Sequence, residues 1–308
     1  MKFNKDKANF GRHETFPLRY SWLTKGFQAI VDNPDIFYSP EVTTTLGVGK
    51  NMVKSIQFWL TASQMIKNSN NKIQPTELGS LIFDKEKGFD PYLEDEATLW
   101  LIHWLISTNP ENAPAWFWFF NRFHKSEFTQ EESAESLIEF ARQNLNKKTA
   151  STTLKVDTAI LIRMYSRSEI NTRTSVEEAL DSPLSLLRLV SQVTGGRKYF
   201  SYPEEREDLT LGVFGFALLT LLETMEKKTI PIGELMYSKT EYPSLGAVFR
   251  LTENSLISKL EILAHKHPTI FDVREPAGIH QVYLLKVVDP LILLIQHYSH
   301  DNLIKEAA

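Results

Sequence analysis

Residues 46–80 read LGVGKNMVKSIQFWLTASQMIKNSNNKIQPTELGS. Val53, Ile56, Leu60 and Ser63 fall on one helical face, with Met52, Trp59 and Ile66 beside it. This spacing predicts an amphipathic helix over 50–67. Gly47 and Gly49 precede it, and one of them is expected to take the left-handed conformation of a tight turn between two helices. The run lacks the frame and terminal GK[ST] of a phosphate-binding Walker loop. Beyond the helix, Asn70-Asn71 reads as a turn, 72–74 as a short strand, and Thr76 as the cap of a short helix to 81 or 82. Helix, tight turn, longer helix, strand and helix is the order of a winged-helix-like unit, whose second helix faces the DNA major groove. An ordinary helical hairpin carries the same signature.

Working outward, Ser39-Pro40 starts the shorter helix that carries Val42 and Leu46 and stops near Gly47. A helix over 23–31 precedes it. Downstream, helices are expected over 94–107, 115–124 and 129–145. The second of these holds Trp116, Phe117, Trp118, Phe119, Phe120 and Phe123. It is apolar all round, which points to burial rather than base stacking. Residues 146–151 form a polar, basic interval and the best linker. A helix follows over 154–165, then a polar stretch at 166–182. A further helix over 183–194 and a short aromatic strand or loop over 197–202 come next. Helices at 210–227, 232–236 and 252–267 surround a turn at 243–246. The runs 271–274 and 281–285 flank EPAGIH and predict a hairpin. A helix followed at once by a hairpin is the second half of a winged helix. The expected fold is mainly α, multi-helical, with winged-helix-like units at both ends and short β-hairpins. It divides at residue 147, with an N-terminal helical domain over 1–147 and a C-terminal one over 148–308.

The composition narrows the chemistry. The 308 residues include no cysteine, which excludes disulfides, thiolate zinc sites, cysteine nucleophiles and iron–sulfur clusters. The N-terminus lacks the apolar core of a signal peptide. The most apolar stretch, 285–295, is broken by Lys286, Asp289 and Pro290 and is too short to span a bilayer. A cytoplasmic protein without membrane partners is expected. The formal net charge is −4, yet residues 1–26 carry +4, leaving −8 for the remainder. A basic N-terminus on an acidic body suits a phosphate-binding surface. A solvated basic terminus is the plainer alternative. Arg12, Arg19 and Lys25 argue for binding, because Phe16 and Trp22 interleave with them and can dock the segment.

His13-Glu14 has two readings. Histidine beside a carboxylate can be a general base or a metal ligand. Adjacent residues seldom point the same way, so the pair is not a dyad by spacing. Gly49, Lys50, Asn51 and Lys54 lie at the start of the second helix, where backbone N–H groups favour phosphate. In the last unit Arg250, Asn254 and Lys259 decorate the long helix, and Arg274 and His280 sit on the wing. His103, beside Trp104, reads as a core histidine. No familiar nuclease or metalloprotease spacing stands out.

The stretches GRHETFPLRYSWLTKG at 11–26, LGVGKNMVKSIQFWL at 46–60 and LGAVFRLTENSLISKLE at 245–261 resemble a bacterial family catalogued as a domain of unknown function, number four thousand and seven. That family is in turn similar to the SspB-type nicking subunits of single-stranded DNA phosphorothioation systems. The resemblance implies a subunit that cuts one DNA strand so that partners can insert sulfur. The implied partners are DNA, a cysteine desulfurase, an ATP-pyrophosphatase-like enzyme and an ATPase. It implies a DNA-handling role for Arg12, His13, Glu14, Arg19, Lys25, Gly49, Lys50 and Asn51. In the nicking reading His13 is general base or acid. Glu14 orients a water or a divalent ion, magnesium or manganese. Arg19 and Lys25 stabilise the developing charge. Lys54, Lys259 and Arg274 are expected on backbone phosphate. The alternative is a non-catalytic DNA-binding adapter that recruits the sulfur-transfer enzymes.

Overall fold

A computed structural model of the chain describes residues 1–69, 72–166, 182–192, 195–237 and 239–307. The turn expected at Asn70-Asn71 and most of the polar stretch at 166–182 lie outside the described residues. About 53% of the chain is helical, with 13 α-helices and three small antiparallel sheets among the described residues. None of these helices is long and apolar enough to cross a membrane. The chain forms two compact units.

The larger unit comprises Asn4–Phe119 and Lys125–Tyr202. It opens with α1 (Tyr20–Asp32), α2 (Val42–Leu46) and α3 (Lys50–Ala62). Of the two candidate glycines, Gly47 takes the left-handed conformation, at φ 64°, and Gly49 caps α3 in an extended one. Helix α3 ends five residues earlier than its periodicity suggests. Ser63 Oγ donates to the Trp59 carbonyl at 2.7 Å, and Gln64 turns left-handed at φ 60°. Ile66 then enters strand β1 (Ile66–Ser69), which pairs antiparallel with β2 (Lys72–Pro75). Thr76 caps α4 (Glu77–Phe83) by accepting the Gly79 N–H, as its position predicts.

Helix α5 (Glu96–Ser107) is buried from Ala97 to Ser107. In the aromatic helix α6 (Pro114–Asn121), the residues up to Phe119 belong to this unit, with Trp116, Phe117, Trp118 and Phe119 all buried. His103 is a core histidine, its Nδ1 at 2.8 Å from the Tyr165 hydroxyl, and burial raises the pKa of that phenol. Strand β3 (Glu127–Thr129) leads into α7 (Gln130–Asn144) through a capping box of Thr129 and Glu132. Helix α8 (Ser151–Tyr165) packs on α7.

The helix expected over 183–194 does not form. A single 3₁₀ turn, Pro183–Leu187, stops at Arg188, which is left-handed at φ 51°. The chain bends at Leu189 and Val190 before strand 191–192, and the Leu189 carbonyl accepts the Ser201 hydroxyl at 2.8 Å. Its apolar run therefore meets the core as buried Leu184, Leu187, Leu189 and Val190 without helical period. Strands β4 (Ser191–Gln192) and β5 (Lys198–Phe200) complete a sheet of order β3-β5-β4.

The smaller unit comprises Met1–Phe3, Phe120–His124 and Pro203–Ala308. Its elements are α9 (Leu211–Met225), β6 (Thr229–Pro231), α10 (Ile232–Met236), α11 (Leu245–Phe249) and α12 (Glu253–Lys266). The hairpin β7 (Phe271–Arg274) and β8 (Gln281–Leu284) follows, then α13 (Leu291–Ala307), which packs on α9. The sheet order is β6-β8-β7. The turn expected at 243–246 is instead the start of α11, because all five residues of LGAVF are buried. Arg250 is buried too. Its guanidinium donates to the carbonyls of Phe120, Ala247 and Phe123, and burial brings its pKa down to about 10. It is therefore not a surface group on the long helix.

In the larger unit α1 lies against α3 at Gly26. A Cβ there would stand 2.5 Å from Ile56 Cγ2 and 2.7 Å from Leu60 Cδ1, and both residues are fully buried. Helix propensity alone makes Gly26→Ala stabilising by ~1 kcal/mol. The close approach reverses the sign: overpacking by a methyl in a tight core costs ~1–3 kcal/mol. With that ~1 kcal/mol gain subtracted, urea unfolding is expected to place this variant below the parent by up to about 2 kcal/mol. A more stable variant would mean that the two helices do not meet there.

Candidate nucleic-acid interface

The segment GRHETF at 11–16 is a loop with three left-handed residues, Gly11 (φ 72°), Glu14 (φ 49°) and Thr15 (φ 66°). For Glu14 and Thr15 this backbone costs ~1–2 kcal/mol each. It persists because the loop is tied from inside. Asp157 on α8 accepts the Gly11 N–H at 3.1 Å through Oδ2 and meets His13 Nε2 at 2.9 Å through Oδ1. Thr15 donates its N–H to His13 Nδ1 at 3.1 Å. An Nδ1 that accepts carries no proton, so the ring hydrogen sits on Nε2 and points at the carboxylate. Phe16 N–H closes the turn on the His13 carbonyl at 2.9 Å.

Rings wall this arrangement. His13 is 1% exposed. It stacks on Trp59 at 6.4 Å between centroids and meets the edges of Trp116 and Phe58 at 5.8 and 6.0 Å. Trp59 Nε1 donates to the Phe16 carbonyl at 3.2 Å, fixing the far end of the loop to α3. Asp157 gave no signal as a site residue. The only hint was one carboxylate on the apolar face of α8, beside Leu154 and Leu161, since a fully buried acid requires a partner.

The buried knot sets what the loop shows outside. Arg12 is exposed. Glu14 is 32% exposed, and its Oε1 lies 3.4 Å from Nζ of Lys54, which is 62% exposed. Such a surface pair contributes little to stability, but it joins the loop to the first turns of α3. Lys50 and Asn51 stand there exposed, directly after the Gly49 cap, which offers no side-chain acceptor to the helix N–H groups. Arg19, at the N-cap of α1, has its guanidinium 5.3 Å from the Trp22 ring and 5.9 Å from Phe16. Lys25 is exposed on α1.

Two expected phosphate contacts belong to the smaller unit. Lys259 Nζ donates to the Leu209 carbonyl at 3.1 Å, and its partial burial lowers its pKa. Arg274 pairs with Asp272 at 2.6 Å and lies 4.9 Å from the Tyr283 ring. Among the described residues no group of three or more His, Cys, Asp or Glu could hold a metal ion. Glu14 offers a single carboxylate, so the residues present do not make a preformed cation site.

Fold and site together define a mainly helical protein whose N-terminal loop is pinned by a buried histidine beside a basic helix start. The chain belongs to the family described as "Protein of unknown function (DUF4007)", which matches residues 10–298. No curated protein matches it. Two solved structures share its fold. One is described as "SspB crystal structure" (24% identity, TM-score 0.83) and the other as "Magnesium ion-bound SspB crystal structure" (24% identity, TM-score 0.84). Each alignment covers 97% of this chain and 89% of the other.

The two neighbours in the motif should respond differently to truncation. His13→Ala strands the buried Asp157 carboxylate, and breaking a buried pair of this kind costs ~3–5 kcal/mol. Glu14→Ala loses only a surface contact and should stay within ~0.5 kcal/mol of the parent. Chemical denaturation of both variants checks this ordering.

Proposed function

We propose that this chain engages DNA through its larger unit and acts as the nicking subunit of a phosphorothioate modification system. In that role it cuts one strand so that partner enzymes can insert sulfur. The observation that carries the reading is the pinned loop: a buried histidine–aspartate contact holds a strained turn beside the basic first turns of α3. The fold shared with the SspB structures supports the setting. With no cysteine in the chain, sulfur would be carried by others: a cysteine desulfurase, an ATP-pyrophosphatase-like enzyme and an ATPase.

In this reading α1, α2 and α3 with the β1–β2 hairpin act as one winged-helix-like unit. Helices α9 to α12 with β6, β8 and β7 form a second. Helix α3 is the one that meets DNA, since Lys50 and Lys54 are exposed on it. Helix α12 presents Glu253 and Glu261 outward and suits phosphate less. Arg12, Lys50, Asn51 and Lys54 hold the backbone, and Arg19 and Lys25 extend the same electropositive surface. Glu14 is the carboxylate able to reach a scissile phosphate, where it would orient the attacking water. His13 acts by position, holding the loop that carries Arg12 and Glu14. A magnesium ion, which can bind through one carboxylate plus substrate phosphates, would find the rest of its ligands on DNA.

Two observations favour the adapter reading. Both ring nitrogens of His13 are engaged, and the Glu14 carboxylate faces Lys54. Incubation of supercoiled plasmid with the protein, with and without magnesium or manganese, separates the two. Nicking predicts open circles that Glu14→Ala abolishes. Binding without strand breakage under either metal selects the adapter. In both cases Lys50→Ala and Lys54→Ala should each flatten the salt dependence of duplex binding by about 0.9 in log–log slope. A protein that never shifts duplex DNA in a gel would sink both readings.

A further inference from the structure

Between α1, the end of α2 and the loop after α4 lies a cavity of about 520 Å³, within the range of ligand sites. No residue of the pinned loop lines it. Two of its lining side chains are cations, Lys25 from α1 and Lys85 from the loop, and both are exposed. Thr44 adds a hydroxyl beside the left-handed Gly47. A Cβ on Gly47 would meet nothing within 4 Å, so this edge of the cavity is open.

Tyr92 also lines the cavity and is 62% exposed. A lone exposed tyrosine means little. Beside two lysines and a concavity it makes a platform on which a flat ring can stack while a phosphate meets the cations. The remaining polar groups suit a base edge. Gln28 donates its amide N–H to the Phe83 carbonyl at 2.5 Å, which leaves its own carbonyl oxygen as an acceptor. Asp32 is a second acceptor. A carboxylate repels a free polyanion but accepts from the exocyclic amino group of a base.

Acceptors for a base edge, a stacking ring and cations in one hollow match a nucleotide. A base within a duplex cannot enter a concavity, because its faces are stacked and its edge is paired. We propose that this cavity holds one unpaired nucleotide of a DNA strand, its base against Tyr92 and its phosphate drawn to Lys25 and Lys85. The inference rests on the DNA-engaging reading above and adds to it a single-strand subsite, which shares Lys25 with the electropositive surface beside α3.

Fluorescence anisotropy on the full chain tests it, with labelled single-stranded oligodeoxycytidylate, whose bases carry the exocyclic amino group, and a labelled hairpin duplex as probes. Tyr92→Ala should weaken single-strand binding about tenfold, since each stacked base is worth roughly that much. Tyr92→Phe keeps the ring and should bind as the parent does. Lys25→Ala and Lys85→Ala should each reduce the single-strand salt slope by about 0.7. Duplex affinity should survive Tyr92→Ala. If duplex binding stands and Tyr92→Ala leaves the single strand unaffected, this inference fails and the broader reading survives. If neither probe binds the parent protein, both fail. Saturable binding of dCMP by a protein whose strand affinity ignores Tyr92→Ala would assign the cavity to free nucleotide and overturn the proposal.

Discussion

The contact between His13 Nε2 and Asp157 Oδ1, at 2.9 Å, joins residues 144 positions apart. Both partners are almost fully buried, and the loop that carries Arg12 and Glu14 is tied to them. A carboxylate in a dry interior is tolerable only when its oxygens are satisfied. Here one oxygen takes the imidazole N–H and the other the Gly11 amide. The imidazole in turn spends its second nitrogen on the Thr15 amide. One buried acid thus specifies the backbone of five consecutive residues.

That constraint explains how a strained turn survives at the surface. Two successive left-handed non-glycine residues would relax in a free peptide. They hold here because hydrogen bonds to a charged group are about twice as strong as neutral ones. The rings of Phe58, Trp59 and Trp116 also keep water from competing. The same rings belong to α3 and α6, so the loop is registered against the helix whose first turns carry Lys50 and Lys54. Charge at the surface is positioned by packing below it. The surface ion pair between Glu14 and Lys54 reports this registration and does not create it.

Much of the architecture was legible in local chemistry. Thr76 and Thr129 announce helix starts because each side chain can satisfy an orphan N–H. The bounds of α10 and the β7 strand match the sequence reading, whereas α2 begins at Val42 with Glu41 at its N-cap, two residues beyond the expected start at Ser39-Pro40. Strand β6 escaped notice: Thr229-Ile230-Pro231 is only three residues long, and its partner β8 lies some fifty residues on. The region over 183–194 misled because leucines spaced for a helix serve a buried 3₁₀ turn and bend equally well. The cationic candidates were visible as residues, but the organising pair was not. His13 stands between Arg12 and Glu14, a neighbourhood that looks solvated, and Asp157 is a single acid in an apolar helix. Only tertiary structure brings them together, and no short-range rule links positions so far apart.

The pinned loop depends on the state of one imidazole, which histidine ring ¹⁵N spectra of the folded protein at neutral pH observe directly. The buried contact predicts a single His13 tautomer with the hydrogen on Nε2, an unprotonated Nδ1, and a ring proton slow to exchange with solvent. A ring that carries its hydrogen on Nδ1, or one that averages between tautomers while exchanging freely, would contradict the buried contact and the surface built upon it.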